Sequence, residues 1–348
     1  MDPTIRIYHR IAEIDEHRWD ALTAARPFTS HRWLRFCERV QDRDEPFYLV
    51  LTQGETDTAA AVFWLRSRIT VPDLPGWAAR ALERLIARRP LLICEIPIAD
   101  ASGLILPEDS PAREKALEAL MERALRIASE RKAAFLVCGY LPAEQAGAAG
   151  WPGVFRQLKL YPGTVLNLTG VADHDGFLSG LSKKQRKNLR RNRASAEAAG
   201  AVVTRETSFD PEFALELAEN TARKHGGRLP ANLGAGFTHL EKVHAHWLVA
   251  RVGERVVGFD LLVGDRGTWL IKAAGSTYEL DGQYFLLTEE DIRLAIDLGA
   301  DHLLGGTHLY KAKHRLGFET QDNGYVRAAG MGPSFSGILR LLAGFFRL

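Results

Sequence analysis

The stretch LVARVGERVVGFDLLVGDRGTWLIKAAGS, residues 248–276, decides the reading of this chain. With His246 and Trp247 it holds three apolar runs, HWLVARV (246–252), RVVGFDLLV (255–263) and TWLIKAAGS (268–276). The turns VGER and GDRG separate them, and such short glycine-bearing turns between β-prone runs predict an antiparallel meander. Working outward, AVVTRE (201–206) reads as a strand, followed by helices over 210–225 and 235–244. Downstream, Gly282 precedes a helix at 283–298, and DHLLGG (301–306) reads as a further strand. Upstream lie a strand at 164–168 (TVLNL) and a basic helix over 175–199 that stops at Gly200.

The first half repeats this order in weaker form. Residues 4–9 alternate like a strand, and 11–24 and 30–40 read as helices, the second capped by Ser30. Residues 46–53 and 58–66 form an antiparallel pair around QGETD. A helix follows at 111–131, with Pro111 in its first turn, then a buried strand at 133–140. The one seam between the halves is WPGVFRQLKLYPG (151–163). The expected fold is therefore α/β, with two domains, each a mixed and mostly antiparallel sheet flanked by helices.

The chain has 348 residues, 46% of them hydrophobic, enough for a sizeable core without staples. Cys37, Cys94 and Cys138 stand far apart, so neither a disulfide framework nor a cysteine zinc site is implied. No metal is expected. The N-terminal residues lack the apolar core of a signal peptide, and no run reaches the length of a spanning helix. The expected location is the cytoplasm, peripheral on the inner membrane. Net charge is +2, yet residues 183–193 (KKQRKNLRRNR) hold seven basic side chains and no acid, so the remainder carries −5. That concentration points to an anionic partner.

Three segments resemble the Fem-type branch of the GNAT acyltransferase superfamily. They are FLSGLSKKQRKNLRRNRASAEAAGAVV (177–203), the meander, and GGTHLYKAKHRLGFE (305–319). The resemblance covers residues 160–330 and implies tandem GNAT-like domains. A degenerate one is expected over 1–160 and an acyltransferase domain over 161–334, with an amphipathic tail at 335–348. It implies acyl transfer to an amine, without a bound cofactor. The family pattern has a tyrosine, then a lysine four residues before a glycine, the lysine stabilising the carbonyl oxyanion. By position Lys313 before Gly317 inherits that role, and Tyr310 matches the tyrosine. Ala312 departs from the pattern, replacing the aromatic residue that tRNA-dependent members show. Bacterial ceramide synthases are also similar. They imply acyl-CoA as co-substrate and a lipidic amine such as a sphingoid base as acceptor. The Fem alternative is an aminoacyl-tRNA-dependent peptidyltransferase. A third reading is a non-catalytic module that binds anionic membrane or nucleic acid.

Other candidates come from the residues themselves. His308, two before Tyr310, would face the same side on an extended segment and suits a base. Asp260 is an isolated acid in an apolar strand, where charge is expensive, and is a candidate base or ammonium anchor. At helical spacing Lys183, Arg186, Arg190 and Arg193 share a face that could hold coenzyme A phosphates, tRNA or anionic lipid. Gly258, Gly264 and Gly275 lie in or beside the strands, where glycine marks a bulge or a close backbone approach; the GNAT resemblance implies that a pantetheine arm joins this edge. Two amphipathic segments, LPGWAARALERLIARRPLLI (74–93) and FSGILRLLAGFFRL (335–348), combine apolar residues with arginine and suit an anionic membrane surface.

Overall fold

The computed structural model describes residues 3–24, 26–70, 76–230 and 232–345. The chain forms two units, 1–162 with 322–348, and 163–321.

The first unit contains β1 (Thr4–Tyr8), α1 (Glu16–Leu22), α2 (His31–Val40), β2 (Glu45–Gln53), β3 (Thr56–Arg66) and α3 (Gly76–Arg88). It continues with β4 (Leu91–Cys94), β5 (Leu104–Ile105), α4 (Ser110–Glu130), β6 (Phe135–Leu141), α5 (Ala143–Gly147) and β7 (Arg156–Lys159). The second unit contains β8 (Thr164–Asn167), α6 (His174–Gly180), α7 (Lys183–Ala198), β9 (Ala201–Glu206), α8 (Pro211–Lys224) and α9 (Leu233–Thr238). Then come β10 (His244–Val252), β11 (Arg255–Asp265), β12 (Thr268–Ser276), α10 (Gln283–Asp297), β13 (His302–Leu304), α11 (Tyr310–Arg315) and β14 (Glu319–Thr320). The chain closes with β15 (Tyr325–Gly330) and α12 (Pro333–Phe345), which return to the first unit.

The sheet order is β1-β2-β3-β4-β6-β15-β7 in the first unit, with β5 beside β3, and β14-β8-β13-β12-β11-β10-β9 in the second. Each sheet joins an antiparallel run to one parallel pair, β4 with β6 and β12 with β13. The meander and the doubled architecture expected from the sequence are both present. In the first unit Leu117, Leu120, Met121 and Ala124 of α4 pack beneath Phe47, Leu49, Ala61 and Leu136 of the sheet. In the second, Leu286, Leu287 and Ile292 of α10 and Leu189 of α7 pack on Leu248, Ala250 and Leu262. All three cysteines are free and buried.

Several expectations need correction. The domain boundary at 334 fails, because β15 pairs with β6 and β7 and so belongs to the first sheet. The basic helix does not run from 175: α6 ends at Gly180, and a capping box between Ser182 and Gln185 starts α7 afresh. The helix at 235–244 is only the short α9 and a 3-10 turn, since His244 already enters β10. Asp15 accepts from the Arg18 amide and delays α1 to Glu16. The segment 335–348 is not a free tail. Leu339 is buried with Ile86, Phe135, Val326 and Ala328, and the Phe135 and Phe335 rings meet at 5.7 Å. The tail's side chains from Leu341 onward lie outside the described residues.

Candidate active site

The parallel pair in the second unit is short. β12 and β13 are in register only over Thr268–Leu270 with His302–Leu304. Ile271–Ser276 then run on paired with β11 alone, so the two strands part. Where they part, β12 carries a bulge: Leu261 faces Ala273 and Leu262 faces Ile271, which leaves Lys272 as the extra residue. One wall of the opening is thus a strand edge with unmatched backbone groups, a surface that an extended substrate arm can join as an added strand.

The other wall is the loop 305–309 that leads into α11. Gly305 lies close to its neighbours: a Cβ there would sit 2.7 Å from Thr164 Oγ1. The carbonyl of Gly306 accepts from the Thr164 amide at 3.0 Å and from Thr164 Oγ1 at 2.9 Å. Lys313 is 6% exposed, and its Nζ donates to Gly306 O at 3.2 Å and Thr307 O at 2.8 Å. His308 and Leu309 follow in the left-handed region, with φ of 63° and 50°. Two such residues in succession cost on the order of 1–3 kcal/mol each, a strain that persists only where the surroundings enforce it. The buried lysine and Thr164 supply that enforcement.

Lys313 and Tyr310 thus lie on one short helix at the end of this loop. The extended segment expected for His308 and Tyr310 is not found. His308 is in the left-handed turn and exposed, while Tyr310 opens α11, so alternation does not relate them. Gln185 of α7 donates to the carbonyl of His314 at 2.9 Å, which ties the start of the basic helix to α11.

The basic helix divides its charges. Leu189 and Ala196 are buried and fix its inward face. Arg186 and Arg193 flank that face. Arg186 donates to the carbonyls of Leu178, Ser179 and Leu181, closing the end of α6. Arg193 binds Glu290 at 2.8 Å and Glu197 at 2.8 Å, with Glu289 at 3.4 Å. Both guanidinium groups are engaged within the protein, which corrects their expected role beside Lys183 and Arg190. Lys183, Lys184, Lys187, Arg190 and Arg191 remain exposed. Glu289 and Glu290 lie in mid-helix on α10, paired with Arg193 and Arg293.

Gly258 is not at an opening. Its strand pairs on both sides, with Ala250 and Ser276. The space its side chain would fill holds the Gln283 amide, and a Cβ would lie 2.6 Å from the Gly275 carbonyl. Gly258→Ala should therefore lower stability by about 1–3 kcal/mol through overpacking. The urea midpoint should fall; an unchanged midpoint would mean that the site has spare room.

Asp260 is engaged with α10. It is 5% exposed and opposes Asp291, which is fully buried. Among the described residues, neither Asp291 oxygen has a hydrogen bond of ordinary geometry, and Asp260 is the polar group that bears most on it. Burial pushes the Asp260 carboxyl up to about 7, against a pull downward from Asp291. Burial and the neighbouring Asp260 raise Asp291 well above the carboxylate range. Two acids in one apolar site hold protons because neither charge is solvated. Sequence reasoning found Asp260 but missed Asp291, whose position on α10 gives no sign of a partner on β11. Among the described residues no group of three or more His, Cys, Asp or Glu is placed to hold a metal ion. Likewise no described helix is long and apolar enough to cross a membrane.

Residues 10–219 match the FemAB-like family, described by the words peptidoglycan biosynthesis/recognition. Among solved structures, the chain is similar to the crystal structure of FemX, with 14% identity and a TM-score of 0.62 over 97% of this chain and 100% of that one. A tandem GNAT protein from the clavulanic acid biosynthesis pathway gives 15% identity and 0.60, covering 95% and 99%. The C-terminal domain of a putative lysylphosphatidylglycerol synthetase from Agrobacterium fabrum gives 12% identity and 0.56, covering 96% of each. At these identities the likeness is one of fold, and it bears out the tandem GNAT-like architecture. No curated protein matches the chain.

Proposed function

Because the chain belongs to the FemAB-like family, we propose that it is a Fem-type transferase that takes an aminoacyl group from aminoacyl-tRNA and places it on the amine of a cell-envelope precursor. The neutral amine attacks the ester carbonyl and a C–N bond forms. The ester C–O bond breaks, and the terminal hydroxyl of the tRNA leaves with a proton. The separation of β12 from β13 accommodates the acyl arm, and Lys313, placed on the loop wall, is the proposed donor to the carbonyl oxygen.

The observation that carries this reading is the exposed face of α7. Lys183, Lys184, Lys187, Arg190 and Arg191 point outward without an intervening acid, and Gln185 ties that helix to α11. A row of cations with no exposed aromatic side chain among them follows a phosphate backbone well. The family description supports an envelope acceptor.

Binding of bulk tRNA should weaken steeply with salt, and Lys187→Gln with Arg190→Gln should lower the slope of log K against log salt by about 2. An unchanged slope in the double variant would sink this assignment of the donor. A second reading has its own support in Ala312, which stands where tRNA-dependent relatives show an aromatic residue. It is transfer of a long-chain acyl group from acyl-CoA to a lipidic amine such as a sphingoid base, the ceramide synthase reaction. Thermal stabilisation by palmitoyl-CoA, with none by tRNA, would favour it.

A further inference from the structure

The helix α3 has two faces of different character. Inward, Ala79 and Ile86 are buried, and Leu82 and Leu85 pack on the cluster of Phe135, Val326 and Leu339. This accounts for the apolar side of the segment. Outward, Trp77 is 71% exposed, the largest fraction among the exposed large hydrophobics of the described residues. Arg80, Arg84 and Arg88 are exposed and recur every four residues, with Trp77 three residues before the first. No ion pair or hydrogen bond ties these three side chains to a described residue. Arg89 lies over the Phe335 ring at 5.9 Å, and Arg340 of α12 is exposed. Residues 74–93 contain a single acid, Glu83.

We propose that the outward face of α3 is a docking surface for an anionic lipid bilayer, with Trp77 seated at the headgroup level and the arginine row on lipid phosphates. An indole left in water has no reason of packing to be there, whereas at a membrane interface its apolar ring and N–H are both satisfied. Guanidinium groups without internal partners match phosphodiester headgroups. The exposed face of α7 differs, since it carries cations but no aromatic anchor. The surface is independent of which acyl donor the chain uses.

The chain carries seven tryptophans. Trp19, Trp33, Trp64, Trp151, Trp247 and Trp269 are buried, so acrylamide reaches essentially Trp77 alone. Full-length protein should co-sediment with vesicles of equimolar phosphatidylglycerol and phosphatidylcholine, and not with phosphatidylcholine alone. Those vesicles should shield Trp77 from acrylamide and shift its emission to the blue. Arg84→Gln and Arg88→Gln should weaken partition roughly fivefold each. Trp77→Phe should remove the fluorescence response, and Trp77→Ser should reduce partition as well. The proposal is overturned if the chain stays in the supernatant, if it sediments equally with neutral vesicles, or if Trp77 remains quenchable in the bound state. Shielding of Trp77 by RNA in place of vesicles would overturn it too.

Discussion

Asp260→Asn is expected to raise the melting temperature at about pH 8, by a margin that shrinks as the pH is lowered toward 4. In the folded chain burial holds the proton on Asp260 up to about pH 7, while an unfolded aspartate releases it near 3.8. Between those values the unfolded state binds fewer protons than the folded one. The native chain therefore loses stability as pH rises through this window, and the loss is complete above about pH 7. The difference corresponds to a few kcal/mol for a group this deeply buried. The asparagine side chain has no proton to lose and still offers Asp291 a hydrogen-bond partner. Thermal melts of both proteins across the window check this, and parallel pH profiles would refute it. Activity of the same variant tests a second point. If the Asp260→Asn chain retains turnover, Asp260 is not the base, and the acid pair is a feature of the core.

Shortening the chain before α12 should unfold the first unit or leave it aggregating. Leu339 is 5% exposed in a cluster with Ile86, Phe135 and Val326, and Phe335 and Ile338 pack on the same cluster. Ser336 Oγ donates to Gly330 O at 3.1 Å, joining the helix to the end of β15. Leu339→Ala alone should cost roughly 2–5 kcal/mol, the range for a buried leucine truncated in a closed core. Deletion of residues 333–348 should cost more, since it uncovers one face of the sheet. Urea unfolding followed by tryptophan fluorescence reads both. A truncated chain with an unchanged midpoint would make α12 an accessory segment of the kind its sequence alone implies.

Much of the site was legible because its signals are local. The meander announces itself through glycine turns and apolar runs, and Tyr310, Lys313 and Gly317 stand out only because one short segment resembles the Fem-type pattern. The basic helix was legible only as charge. Helical periodicity groups residues into faces, but it does not say which face turns inward. Leu189 and Ala196 decide that, and they turn Arg186 and Arg193 toward the carbonyls and carboxylates of the second unit. The left-handed turn at His308 and Leu309 gave no warning, because leucine disfavours that backbone and histidine adopts it only in a minority of cases. Lys313 and Thr164 stabilise it from elsewhere in the chain.

By itself, then, the sequence determined the meander, the longer helices and the repetition of their order, since turns, caps and periodicity act over a few residues; the short α5, α11, β7 and β14, and β15, were not legible in it. The tertiary structure decided which strands meet. β15 lies between β6 and β7 although the whole second unit intervenes along the chain, and β8 lies between β13 and β14. It also decided that Asp260 faces Asp291. Such pairings join residues far apart in the chain; the strands meet because burying a whole face stabilises them, and the two acids are carried into one apolar site by the elements that bear them, which no local window of residues records.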